Sequence, residues 1–295
     1  MSARTFSANS MGRSKFPSTD IVQDQQNGEE LQRLAVQDQM LAETTRGTLP
    51  WQEDGEQLEH ALDVGCGVGG WVIETAQRYP HMFLVGIDIN QHMIDYAQAQ
   101  AVERGVSERV SFQVMDALTL PGLANASFDL VNQRIGVSYL RTWDWPRVLR
   151  EMVRVARPGG IVQLTEPEVV SQSNSEAFQQ MAEMLMQALY ASHHLFKPEP
   201  AGIIPYLKTF LEEQRCRDIH VQSYKTEYHA GTVAGNVLYQ EVASMTRLFR
   251  PFIQKWGDSN KKNHDILTRQ MLKDMQQPGF KVTSSLTTAW GRTPG

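Results

Sequence analysis

The stretch LDVGCGVGGW, residues 62–71, constrains this chain more than any other ten residues in it. Leu62 to Val64 reads as a buried strand, and Gly65, Gly67, Gly69 and Gly70 follow within six positions. Trp71 then opens an amphipathic helical segment stopped by Pro80. Glycines at that density let the backbone turn sharply off a strand and bring N–H groups against a ligand. The positive end of the next helix points at the same place. The loop fits two patterns at once. Gly65-Cys66-Gly67-Val68-Gly69-Gly70 satisfies G-x-G-x-x-G, the dinucleotide fingerprint. It also satisfies G-x-G-x-G with an acid, Asp63, two positions ahead of the first glycine.

Short apolar runs alternate with helical patterns on either side of this loop. HALDVGC, MFLVGIDIN, VSFQVMDAL, SFDLVNQRI and IVQLTEPE read as strands. GGWVIETAQRYP, QHMIDYAQAQAVERG and WPRVLREMVRVARPGG read as helices, the last stopped by Pro158-Gly159-Gly160. Such alternation specifies an α/β fold, doubly wound on a mostly parallel sheet, with ligands beyond the carboxyl ends of the strands. After Glu168 the rhythm breaks. A Met-rich helix, SEAFQQMAEMLMQALYASHHLF, precedes a second helical piece, GIIPYLKTFLEEQ. Two further strands, DIHVQSYKTEYHAG and FKVTSSLTTAW, are separated by about 45 residues of helical pattern, far beyond a usual hairpin loop of roughly 2–5 residues. The expected division is a disordered tail (1–27), an N-terminal helical lid segment (28–56), a ligand-binding core (57–171) and an inserted lid helix (172–200). A core helix and strand (201–231), inserted helices (232–277) and a final strand (278–295) complete it.

Bulk properties limit the partners. Net charge is −5, from 28 basic and 33 acidic residues, so nucleic acid and anionic membranes are not expected partners. No apolar run approaches the roughly 18 residues a membrane-spanning helix needs. Cys66 and Cys216 are the only cysteines, too few to staple a chain this long, and no C-x-x-C pair suggests a metal. The serine-rich, acid-free segment before Asp20 resembles a transit peptide, but its basic residues are sparse. A tail on a cytoplasmic protein is the expectation.

Three acids then separate the two parses of the loop. Asp88 ends the second strand, where a carboxylate accepts from both ribose hydroxyls of an adenosine. Asn90 is the better-placed cap for the helix that follows. Asp63 stands where a dinucleotide site needs a small apolar residue beside a pyrophosphate, and suits instead a ligand bearing an ammonium and a sulfonium. Asp116, ending the third strand, is placed to accept from an adenine amino group. Ala117 and Leu118 would cover one face of the ring and Ile89 the other. Asp63, Asp88 and Asp116 together describe a negative cleft.

With these residues in place, the chain resembles the class I S-adenosylmethionine-dependent methyltransferases. The matching segments, in order over residues 58–168, are LDVGCGVGGW, VGIDIN, VSFQVMDALTLP, ASFDLVNQRIGVSYL and LREMVRVARPGGIVQLTEPE. The resemblance implies a seven-stranded, Rossmann-like sheet with its last strand antiparallel. It implies that Gly65, Cys66, Gly67 and Gly69 run along the methionine moiety and that Asp88 takes the ribose. Met115, Asp116 and Ala117 would take the adenine, while Asn132, Gln133, Arg134 and Ile135 would line the sulfonium side. No metal is expected.

The acceptor is less legible. Methyl transfer from a sulfonium is a displacement that positioning and desolvation largely carry, and a base is needed only for a protonated nucleophile. NQRIGVSYL after the fourth strand does not match the Asn/Asp-Pro-Pro-Tyr/Phe motif of enzymes acting on adenine or glutamine amines. Candidate catalytic groups are His193 and His194 at the end of the Met-rich helix, Glu166 at the end of the fifth strand, and Tyr139. His229 reads as a surface residue. The arginines at 147, 150, 154 and 157 read as a solvated face rather than an RNA-binding stripe. Helical pieces at 29–45, 173–197 and 232–277 would form a lid over a small, partly apolar acceptor of secondary metabolism, and could pair across a homodimer. The rival readings are an RNA or protein methyltransferase, a nicotinamide-dependent oxidoreductase, and a methyltransferase-like protein that binds the cofactor without transferring its methyl group.

Overall fold

The computed structural model describes residues 21–22, 28–49, 57–257 and 261–295. A central sheet holds β1 (His60–Val64), β2 (Phe83–Asp88), β3 (Val110–Val114), β4 (Phe128–Arg134), β5 (Ala156–Pro167), the two-residue β6 (Gln172–Ser173), β7 (Arg217–His229) and β8 (Lys281–Arg292). The order is β3-β2-β1-β4-β5-β8, with β7 on the far side of β8 and β6 paired to β8 beyond the end of β5. Strands β1 to β5 are parallel, and β8 runs antiparallel between β5 and β7. The seven long strands and the antiparallel last strand agree with the expectation; β6 is an addition to it.

Helices α2 (Gly70–Arg78), α3 (Gln91–Glu103) and α4 (Trp145–Val155) cross between the parallel strands, and α6 (Leu207–Glu213) precedes β7. Their apolar faces bury two large clusters. One is built around Trp145, which stacks on Phe210 at 5.0 Å between ring centres, and the other around Trp71 and Phe112. Asn90 caps α3, its side chain accepting from the His92 N–H at 2.9 Å.

The remaining helices lie in the additions. Helix α1 (Gly28–Thr45) precedes the core, and α5 (Glu176–Ala191) follows β5. Helices α7 (Val233–Leu248), α8 (Arg250–Trp256) and α9 (Lys261–Asp274) fill the interval between β7 and β8. Among the described residues no helix is long and apolar enough to cross a membrane.

Two sequence expectations need correction. Pro158-Gly159-Gly160 does not end α4; the helix stops at Val155, and β5 already begins at Ala156. Register passes from Phe128↔Ala156 to Leu130↔Ile161. The Arg-Pro-Gly-Gly run is therefore a bulge within the strand, where Gly159 at φ 73° supplies a turn that a side chain resists. The tail expected to reach residue 27 is also interrupted. Ile21 and Val22 are buried, and the Ile21 N–H donates to the Ser138 carbonyl at 3.2 Å. The rest of the expected tail, including the transit-peptide-like residues, lies outside the described residues, as do 50–56 of the first lid segment.

Candidate functional site

Beyond the carboxyl ends of β1, β2 and β3 lies a cavity of about 800 Å³. Gly65, Cys66, Gly67 and Val68 line it from the glycine loop, Asp88, Ile89 and Asn90 from the end of β2, and Met115 to Leu118 from the turn after β3. Its roof comes from the additions, including Leu34, Asp38 and Leu41 of α1, Met181 and Leu185 of α5, Met245 of α7 and Met271 of α9. Thr226 and Tyr228 of β7 and Ser284 to Leu286 of β8 wall the side toward the antiparallel edge. The lateral order of the strands thus sets two ends. The glycine loop and acids lie over β1–β3, and the apolar wall lies over β5, β8 and β7.

The glycine loop owes its shape to close approaches. Gly65, Gly67 and Gly69 have φ of 71°, 52° and 80°. A Cβ on Gly65 would stand 2.5 Å from the Tyr139 hydroxyl, and one on Gly69 would stand 2.8 Å from Ala97 and Phe112. Asp88 secures the loop from below. One carboxylate oxygen accepts from the Gly67 N–H at 3.0 Å, and the other from the Asn90 N–H at 2.9 Å. Two bonds leave lone pairs free on both oxygens. Burial raises the Asp88 pKa, and the backbone donors draw it partly back. Asp116 is exposed at the rim, where it accepts from the Leu118 N–H at 2.9 Å.

The turn after β4 carries strain. Ile135, a β-branched residue that lines the cavity, has φ 54°. Glu166 holds this turn, accepting from the Gly136 N–H at 2.5 Å and the Val137 N–H at 3.2 Å. It is fully buried and does not line the cavity, and burial pushes its carboxyl up to about 8 against the pull of those donors. Its position fits support of the turn. Tyr139, at the end of the same turn, lines the cavity and donates to the Val64 carbonyl at 3.2 Å. Burial, the largest influence on it, raises its phenol well above the ordinary value.

Several expected site residues stand apart. Asp63 is buried behind the loop and does not line the cavity; it accepts from the Asn132 amide at 2.8 Å, and Asn132 in turn accepts from Gln163 at 2.7 Å. Asn132, Gln133 and Gly69 also fall outside the lining. The histidine pair does not reach the cavity: His193, at φ 66°, packs against Trp143, and His194 is buried between Ser192 and Phe252. A chain leaving α5 turns there, so the ring positions serve the helix end. His229 is half-exposed and pairs with Glu227 at 2.7 Å.

The expected negative cleft is corrected too, because Arg134 lines it. The guanidinium lies 2.6 Å from Asp38 of α1, and its buried Nε has no hydrogen-bond partner. Burial lifts Asp63 to about 7, while Arg134 pulls it back down. Asp38 also accepts from the Gly70 N–H at 3.1 Å, at the N-terminus of α2. Asp38, Arg33, Glu30 and Glu241 are cavity residues that sequence reading missed. The one available signal was that Asp38 shares a face of α1 with Leu34 and Leu41, at offsets of four and three.

Residues 61–160, from β1 into β5, match the family model of the methyltransferase domain. This stretch of the chain is a methyltransferase domain. The chain is 35% identical over 120 residues to norajmaline N-methyltransferase of Rauvolfia serpentina, covering 41% of this chain and 40% of that protein. It is 38% identical over 115 residues to demethylmenaquinone methyltransferase of Deinococcus radiodurans, covering 38% and 46%. It therefore spans less than half the length of these relatives. Among solved structures, the YcgJ protein of Bacillus subtilis shares the fold at a TM-score of 0.53 and 16% identity, over 84% of this chain and 98% of that one.

Proposed function

We propose that the protein transfers a methyl group from S-adenosylmethionine to a small, partly apolar molecule. The observation that carries this is a single cavity with a glycine loop and Asp88 at one end and an apolar wall from the added helices at the other. A pocket of about 800 Å³ suits a nucleoside-sized cofactor and a small acceptor together. The small-molecule relatives, norajmaline and demethylmenaquinone methyltransferases, support the acceptor class.

The lining fits the cofactor on several counts. Gly67 leaves open space that a Cβ would fill, meeting only Leu34 at 3.9 Å, and Asp88 presents lone pairs to ribose hydroxyls. Asp38 and Arg134 offer a carboxylate and a guanidinium to an amino acid's ammonium and carboxylate, the role expected of Asp63. Ile89, Met115, Ala117 and Leu118 line the cavity where they would flank an adenine, and Asp116 would take its amino group. When bound, the cofactor supplies an electrophilic methyl on a sulfonium whose leaving group is a neutral thioether.

The chain's own contribution is positioning and exclusion of water. Helices α1, α5, α7 and α9 act as the lid over the strand ends. Tyr139, fixed by the Val64 carbonyl, and the Glu166-held turn at 135–139 shape the wall beside the glycine loop. No side chain reaching the cavity is required to act as a base unless the acceptor arrives protonated.

Incubating the purified chain with methyl-labelled S-adenosylmethionine and a panel of small amines, phenols and quinols tests this. Label transfer to a panel member, with release of S-adenosylhomocysteine, is the expected result. Transfer to bulk RNA or protein instead would replace the acceptor class. Cofactor binding without transfer to any substrate would favour the methyltransferase-like reading.

A further inference from the structure

Besides Asp38, the roof of the cavity holds three ionisable side chains in largely apolar surroundings. Arg33 of α1 donates to both oxygens of Glu30, at 2.7 and 2.8 Å, and from Nη1 to Oε1 of Glu241 on α7 at 2.7 Å. All three line the cavity, and their exposures are 4% for Glu30, 6% for Arg33 and 6% for Glu241. One guanidinium thus serves two carboxylates, and the group carries one uncompensated negative charge when all are ionised. Its fork is taken up by Glu30, leaving Glu241 a single bond. Glu241 Oε2 is buried and has no hydrogen-bond partner.

Leaving a carboxylate oxygen buried without a donor is costly. Burial pushes the Glu241 carboxyl up, and Arg33 offsets only part of that. The neighbouring wall is apolar: Leu238, Val242 and Met245 of α7, Phe249 after it, and Met271 of α9. Arg33 also sits over the Phe249 ring at 5.5 Å, which ties the charged group to that wall.

We propose that the methyl acceptor is a hydrophobic amine that enters as its ammonium, and that Glu241 holds its nitrogen through Oε2 and takes its proton. The freed lone pair then forms the N–C bond as the methyl's bond to the sulfonium breaks and the neutral thioether leaves. The proposal rests on the methyl-transfer reading of the same cavity. An ammonium supplies both missing elements, a donor for Oε2 and a positive charge for the group. A neutral hydroxyl supplies only the first. A carboxylate or phosphate acceptor supplies neither and meets a net negative roof. Glu241 is then a specificity-determining residue.

Calorimetric titration of the full chain with decylamine, 1-decanol and decanoate, with and without saturating S-adenosylhomocysteine, tests this. Decylamine is expected to bind at least about tenfold more tightly than decanol, and decanoate most weakly. Glu241→Gln, which keeps the side chain's shape, should bring amine and alcohol to within about threefold while leaving the S-adenosylhomocysteine affinity unchanged. Equal affinity of the wild type for amine and alcohol, or an amine preference that survives Glu241→Gln, would overturn the proposal. If Glu241→Gln does not fold, the wild-type series alone decides. Amine preference without S-adenosylhomocysteine binding would remove the cofactor reading and leave the amine site; the reverse would do the opposite.

Discussion

The Asp38 carboxylate of α1 lies 2.6 Å from the Arg134 guanidinium at the end of β4, and it also accepts from the Gly70 N–H at the start of α2. One side chain therefore joins the first added helix to two elements of the ligand-binding core. Asp38→Ala should loosen α1 over the cavity, weaken S-adenosylhomocysteine binding by about tenfold, and speed proteolysis within 28–45. Limited proteolysis with and without S-adenosylhomocysteine measures both. Cleavage that is unchanged by the ligand in the wild type would show that α1 is no lid.

Gly65 tolerates no side chain. Its φ of 71° disfavours one, and a Cβ would meet the Tyr139 hydroxyl at 2.5 Å. Gly65→Ala should cost about 1–3 kcal/mol of stability and abolish cofactor binding. Pairing it with Tyr139→Phe tests the contact: thermal melts of the double variant should recover part of the loss, since the hydroxyl is the nearest atom.

Asp88→Ala removes the acceptor assigned to the ribose and the tie to Gly67 and Asn90. Binding of S-adenosylhomocysteine should weaken by about 1–3 kcal/mol. An unchanged dissociation constant would remove the ribose assignment.

Asp63 gives a pH dependence with a definite sign. Burial raises its folded-state pKa from 3.8 to about 7, so folding favours the protonated form. The stability it contributes is fully present below about pH 4 and is lost as pH rises toward 7. Asp63→Asn mimics the neutral form and keeps an acceptor for Asn132. Its melting temperature relative to wild type should climb between about pH 4 and pH 7 and then level off. A difference independent of pH would place the Asp63 pKa near its ordinary value.

His193 and His194 offer a test of the cavity boundary. Neither lines it, and His194 is buried against Phe252 and bonded to Ser192. His194→Ala should lower the melting temperature, and His193→Ala should leave turnover intact. A large fall in turnover for a His193→Ala protein with unchanged S-adenosylhomocysteine binding would restore it as a base.

The parallel core was legible because strand and helix periods alternate cleanly from residue 57, and Asn90 announced a cap that the structure contains. Gly65 to Val68, Asp88 and Met115 to Ala117 line a cavity where one was expected because strand ends follow from those periods, and ligands sit at strand ends. Glu166 shows where such reasoning stops. Its place near the end of β5 was read correctly, but the positive φ of Ile135 that brings Gly136 and Val137 N–H groups onto it leaves no trace in sequence. Asp38 and Glu241 were missed for a related reason. Their meaning depends on contacts across 96 residues to Arg134 and 208 to Arg33, and helical periodicity carries no record of which distant side chain a polar residue meets.

Calorimetric titration with S-adenosylmethionine, S-adenosylhomocysteine, NAD and NADP tests the central claim most directly. Binding of the first two in the micromolar range, about −8 kcal/mol, without binding of either nicotinamide, is the expected result. Binding of NAD or NADP alone would make G-x-G-x-x-G the operative pattern and contradict the methyl-transfer reading.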